Sequence, residues 1–144
     1  MVITQSKKLA ALVMVVGIVS IVLGAFFISQ GFAKSDEITK AMVSENITYG
    51  GAGSTINGII DTSQEAEEMA NVLYEHRSAM GNYSQLKRDD PARQTILNAM
   101  TMENSLTLAR LGFGLTQVVE ASGVFMVLIG LTFVAGGAAV VRSK

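Results

Sequence analysis

From Val118 to Val141 the chain runs through apolar residues with one charge, Glu120, and stops at Arg142 and Lys144. A helix needs about 20 such residues to cross hydrocarbon, so this stretch limits the fold more than any other. A second run, Leu9 to Phe32, follows Lys7 and Lys8 and carries no charge at all. Two runs of this kind bracketing a more polar middle imply an all-α membrane protein. The expected architecture is a two-span transmembrane helical hairpin with a small, mainly helical extracytoplasmic module. The expected division is a tail at 1–8, a first transmembrane helix at 9–32, the module at 33–117, a second transmembrane helix at 118–141 and a tail at 142–144.

Composition agrees with this division. The chain is 49% hydrophobic and 16% charged, and its mean hydropathy is +0.40, which is apolar for a water-soluble domain of this size. Lys7, Lys8, Arg142 and Lys144 make both tails basic, whereas the stretch 34–110 has seven basic and eleven acidic residues. Basic flanks are retained on the cytoplasmic side, so the expectation is a multi-pass plasma-membrane protein with both termini cytoplasmic. An acidic middle is poorly matched to phosphate backbones, which argues against nucleic acid as a partner. There is no cysteine, so disulfides and thiolate metal sites are excluded. A signal peptide is the rival reading of the N-terminal run, with Gly31-Phe32-Ala33 as cleavage site. The run far exceeds the 7 to 15 residues of a secretory core, which favours an uncleaved anchor.

Within the module, Ile38, Ala41, Met42 and Glu45 fall at helical spacing, so the first helix is expected to continue outward. Tyr49 to Thr55 is glycine-rich and lacks the lysine of a phosphate-binding loop, which makes it a turn; β-branched residues around Ile47–Tyr49 and Ile56–Ile60 suit a short hairpin. Asn46-Ile47-Thr48 and Asn82-Tyr83-Ser84 fit a glycosylation sequon, a pattern too short to weigh. Thr62 and Glu65 form a capping box, and Ala66, Met69, Ala70, Leu73, Arg77 and Met80 follow as a stripe that Gly81 ends. Asp90 and Pro91 open a last helix that nothing need stop before Val141, with Gly112 and Gly114 as its weak point.

Chemistry is sparse. His76 is the only histidine, and Leu73 rather than Glu precedes it by three, so neither a carboxylate-bridged di-iron pattern nor a two-histidine iron site is available. Any hydrolytic triad would have to use His76. No cofactor and no enzymatic activity are expected. What stands out lies in the spans. Gly17, Gly24 and Gly31 recur every seven residues in the first, and Gly123, Gly130 and Gly137 in the second. Small residues along one face let helix backbones approach in lipid. If Lys8 and Arg142 mark one boundary, the two sets interleave in depth and Val127 stands about a quarter-turn from its stripe. The same counting brings Glu120 level with Gln30 and within reach of Lys34; the plain expectation is that Glu120 sits at the outer interface in water, and the sharper alternative is an intramembrane pair with Lys34 or Gln30 that would fix the hairpin.

The order of features resembles a group of uncharacterised bacterial two-span membrane proteins. It comprises a basic tail, a span, Glu45-Asn46-Ile47-Thr48, an Ala-rich helix from Ala66 to His76, Tyr83 and a second span. The resemblance implies a cell-envelope protein and no catalytic residues. Some members are labelled aromatic ring-opening dioxygenases, an activity that a single histidine cannot support. The expected function is a structural or accessory protein in contact with membrane lipid, assembling with itself or within a larger membrane complex. The alternative is an envelope sensor or ligand-binding module.

Overall fold

The computed structural model describes residues 2–49 and 58–143. It is dominated by two long helices, α1 (Val2–Ser44) and α3 (Ala92–Arg142), with a shorter α2 (Ser63–Ala79) between them. At 43 and 51 residues, α1 and α3 are each about twice the length needed to cross hydrocarbon. Each contains an apolar window long enough to do so, and only 11% of either window is buried within the chain. A helix at the core of a water-soluble protein would be mostly covered. These are therefore two long apolar helices that could span a membrane.

Two compact units divide the chain: Met1–Lys34 with Leu115–Lys144, and Ser35–Gly114. In the first, α1 and α3 run antiparallel along their glycines. The outward sides stay bare, with Val22, Phe26, Leu115, Val118 and Phe125 each more than half exposed. Ser122 and Thr132 return their hydroxyls to the carbonyls of Val118 and Leu128, 2.7 and 2.9 Å away, so neither presents an unsatisfied donor.

The second unit has a core made of side chains. Met42 from α1, Met69 and Ala70 from α2, and Leu106 and Phe113 from α3 close around Ile60 and Ala66, both fully buried, with Leu73 packed against them. α1 ends where Asn46 takes a left-handed conformation (φ 49°), which a short polar side chain tolerates. A two-residue ladder follows, β1 (Thr48–Tyr49) antiparallel to β2 (Gly58–Ile59), in register Thr48 to Ile59. The glycine-rich stretch 50–57, with Ile56, lies outside the described residues. α2 opens on the expected capping box: Thr62 accepts from the Glu65 N–H while the Glu65 carboxylate accepts from the Thr62 N–H at 3.1 Å. A carboxylate held this way by the Asp61 backbone N–H, and then by Thr62, lies below the usual glutamate range. Gly81, at φ 93°, follows its end. α3 starts one residue after Pro91, with the Asp90 carboxylate accepting from the Ala92 N–H at 2.9 Å.

Candidate functional site

The expected packing glycines all lie on one seam of the first unit. A Cβ built on Gly17 would stand 2.7 Å from the Gly130 carbonyl oxygen, and one on Gly130 would stand 2.5 Å from that of Gly17. Gly24 and Gly123 are related in the same way, at 2.5 and 2.6 Å. Real Cβ atoms do not approach backbone so closely, so these four positions admit only glycine at this helix separation. The hydrogen each glycine carries there points at the opposite carbonyl, the arrangement of a Cα–H···O contact. The seam continues with Ala10 beside Gly137, whose Cβ would lie 2.9 Å from the Ala10 carbonyl. Its members, Ala10, Gly17, Gly24 and Gly31 on α1 and Thr116, Gly123, Gly130 and Gly137 on α3, are all buried.

Glycine therefore meets glycine, and the interleaved arrangement is not the one adopted. Equating Lys8 with Arg142 misplaced the register by three residues, because a basic flank marks a zone of membrane rather than a plane. What fills each notch is the residue four positions beyond the opposing seam residue. Val127 covers Gly24 and Val134 covers Gly17 from α3, while Met14, Ile21 and Ile28 cover Gly137, Gly130 and Gly123 from α1. Helical side chains lean toward the N-terminus, which carries a residue's bulk back over the preceding turn. Val127 is thus part of the contact, its Cγ2 lying 2.8 Å from a Cβ placed on Gly24, and not a bystander a quarter-turn away. Ser20 adds a polar tie across the seam, its hydroxyl donating to the Met126 carbonyl at 2.8 Å. Sequence reasoning passed over Ser20, although a hydroxyl three residues after a seam glycine was the available signal.

Glu120 occupies the position in this series that Val127 and Val134 hold in theirs. Its side chain lies across Gly31, in contact with the place a Cβ would take. Lys34 is exposed and has an interaction of its own within the chain.

In the second unit, Arg77 of α2 grips Glu103 of α3 through two bonds, Nε to Oε2 at 2.5 Å and Nη2 to Oε1 at 3.2 Å, and lies 4.9 Å from the Tyr74 ring centre. The Glu103 hydrogen bond raises the Arg77 pKa further above its ordinary range. His76, beside it in sequence, is exposed. No group of three or more His, Asp or Glu that could hold a metal occurs among the described residues. Gly112 is pressed by the Ile38 side chain, a Cβ there falling 2.8 Å from Cδ1, while Gly114 is open, and α3 runs unbroken past both. An open groove of about 800 Å³ lies along α1 and α3, lined by Met42 and Leu106 among its apolar residues, with Ser44, Glu45, Asn98, Thr101 and Ser105 as its polar groups. Comparison with protein-family models, curated proteins and solved structures gives no significant match.

Proposed function

We propose that this chain is an integral membrane protein of structural or accessory kind, assembling with itself or within a larger membrane complex and carrying no catalytic activity. The observation that carries the reading is the contrast across α1 and α3 in the first unit. Their inward faces are reduced to glycine and close to backbone contact, while bulky residues such as Val22, Phe26, Phe125 and Leu128 project outward uncovered. In water that would expose far more contiguous apolar surface than a monomer tolerates. In lipid it is the expected surface, because association there depends on close packing and not on removing apolar area from water. In the second unit Leu108 and Leu111, 68% and 59% exposed one turn apart on α3, give a further surface suited to a protein neighbour. The order of features that resembles bacterial two-span envelope proteins supports the same reading.

The basic tails support an orientation with both termini in the cytoplasm and the acidic middle of the chain outside. The test uses the absence of cysteine: single cysteines at Ser6, Ser54 and Ser143, labelled with an impermeant reagent. Labelling only at Ser54 in intact cells, with the protein retained in membranes after alkaline washing, is the expected result; labelling at Ser6 or Ser143 rejects the orientation. The second reading, an envelope sensor, is favoured by the groove over Met42 and Leu106. Thermal stabilisation of the purified protein by a small amphiphile, lost in Thr101→Leu, would support it.

A further inference from the structure

The groove of the second unit changes character along its length. On α1 its lining passes from Ile38 and Ala41 to Ser44 and Glu45, and on α3, which runs the other way, from Ala109 and Leu106 to Thr101 and Asn98. Ile38 lies on Gly112, so the apolar end is the one closer, along both helices, to the apolar runs that end at Phe32 and begin at Val118. From Asn98 to Ala109 is about 16 Å of helix, close to one leaflet's share of a hydrocarbon core about 30 Å thick. The groove thus has the length of a single lipid chain.

Its polar end offers acceptors. The hydroxyls of Ser44, Thr101 and Ser105 donate to carbonyls of their own helices, those of Ala41, Leu97 and Thr101, at 2.7, 2.9 and 3.0 Å, so what each holds out to a ligand is oxygen lone pairs. Glu45 adds a carboxylate. The Asn98 carboxamide oxygen accepts from Gln94 at 2.8 Å, which leaves its NH2 group as a donor. Among the described residues no lysine or arginine lines the groove. A primary ammonium, with three N–H donors and no acceptor, is the complement of this set. A trimethylated ammonium brings the charge without the donors, and an anionic head would face Glu45 with no cation to balance it.

We propose that the groove binds a single-chain amphiphile with a primary ammonium head, taken up from the membrane, its chain along Met42 and Leu106 and its ammonium against Glu45. A lipid in a leaflet holds its chain toward hydrocarbon and its head away from it. The groove has the same order, so the molecule enters without turning over. This inference rests on the second reading above, the ligand-binding one, and deepens it by naming the class of ligand.

The chain has no tryptophan, so Met102→Trp, on the groove wall, gives a single fluorescent reporter in full-length protein held in neutral detergent. The probe is decylammonium, with decyltrimethylammonium, decanol and decanoate as comparators that share its chain. A saturable blue shift with decylammonium is expected, about fivefold weaker with decyltrimethylammonium, the scale of one net hydrogen bond, and weakest with decanoate. Native mass of the protein without the reporter should count one decylammonium per chain. Glu45→Gln, at an exposed position, should weaken decylammonium about fivefold, the upper end for an exposed ion pair, and leave decanol unmoved. Octyl- and hexylammonium should lose about two- to fourfold per methylene removed, the larger figure corresponding to full burial. Equal binding of all four heads, or an unchanged decylammonium affinity in Glu45→Gln, would overturn the proposal and leave a ligand groove standing. No saturable response to any of them, with no bound molecule counted on the protein without the reporter, would remove the ligand-binding reading as well.

Discussion

Helices α1 and α3 meet in both units, and they meet differently. Along residues 1–34 and 115–144 they touch at backbone, with Gly17 on Gly130 and Gly24 on Gly123 and side chains only as plugs in the notches. Within Ser35–Gly114 they meet through Met42, Leu106 and Phe113 around a buried Ile60, with α2 laid against them and tied by Arg77–Glu103. The second is packing driven by removal of apolar area from water. The first uses contacts that need no such drive, which is what remains available where the surroundings are as apolar as the protein. The same pair of helices thus carries two interface chemistries, and each should fail under a different substitution.

The sharpest break is Gly24→Leu or Gly130→Leu. Each places a side chain against a carbonyl that cannot move aside, and the hairpin is expected to open, with a loss at or beyond the top of the usual ~1–3 kcal/mol for overpacking. Cross-linking between cysteines at Ser20 and Met126, which meet across the seam, would report it; an unchanged yield in both variants would refute the seam. Leu106→Ala should do the reverse, leaving that cross-link intact while destabilising the second unit by about 2–5 kcal/mol, as deletion of a fully buried leucine does. Chemical denaturation followed by proteolysis within 35–114 measures it.

Thr62→Ala is expected to cost about 1 kcal/mol, confined to the α2 end of the second unit. A related pH effect has a defined sign. The Glu65 carboxyl titrates below its ordinary value of 4.5 when folded. Its contribution is therefore complete above pH about 4.5 and is lost as pH falls through the depressed value. Amide exchange at the start of α2 between pH 3 and 6 should show the loss in wild type and not in Glu65→Gln. The smallest effect belongs to Leu128→Ala. Leu128 is 58% exposed and away from the seam, and neither the cross-link nor the melt should move.

Much of this was readable before any coordinates. The starts of α2 and α3 followed from Thr62-x-x-Glu65 and Asp90-Pro91, because caps are local and depend on residues a turn apart. The glycine stripes followed from a seven-residue period on each helix separately. Their mutual register did not, since it depends on how two distant segments seat against each other. An error of three residues was enough to turn paired glycines into interleaved ones and to hide Val127 in the contact. The Arg77–Glu103 grip was hidden for the same reason, since its partners lie 26 residues apart on different helices. Ile60, fully buried in the second unit, stands one residue past a two-residue ladder, where neither helical nor strand periodicity marks it as central.

The seven-residue repeat has a geometric consequence of its own. A ruler whose marks are evenly spaced can be slid by one mark and still read as aligned. Moved one repeat along α3, Gly17, Gly24 and Gly31 would stand opposite Gly137, Gly130 and Gly123, three glycine pairs where the present alignment has two. The glycines therefore determine how near the helices come without determining where along their length they match. Only the unrepeated marks can do that: the Ser20 hydroxyl that finds the Met126 carbonyl, and the single carboxylate of Glu120 that stands on Gly31. Each occurs once in its series, and each is brought to its partner by one alignment alone.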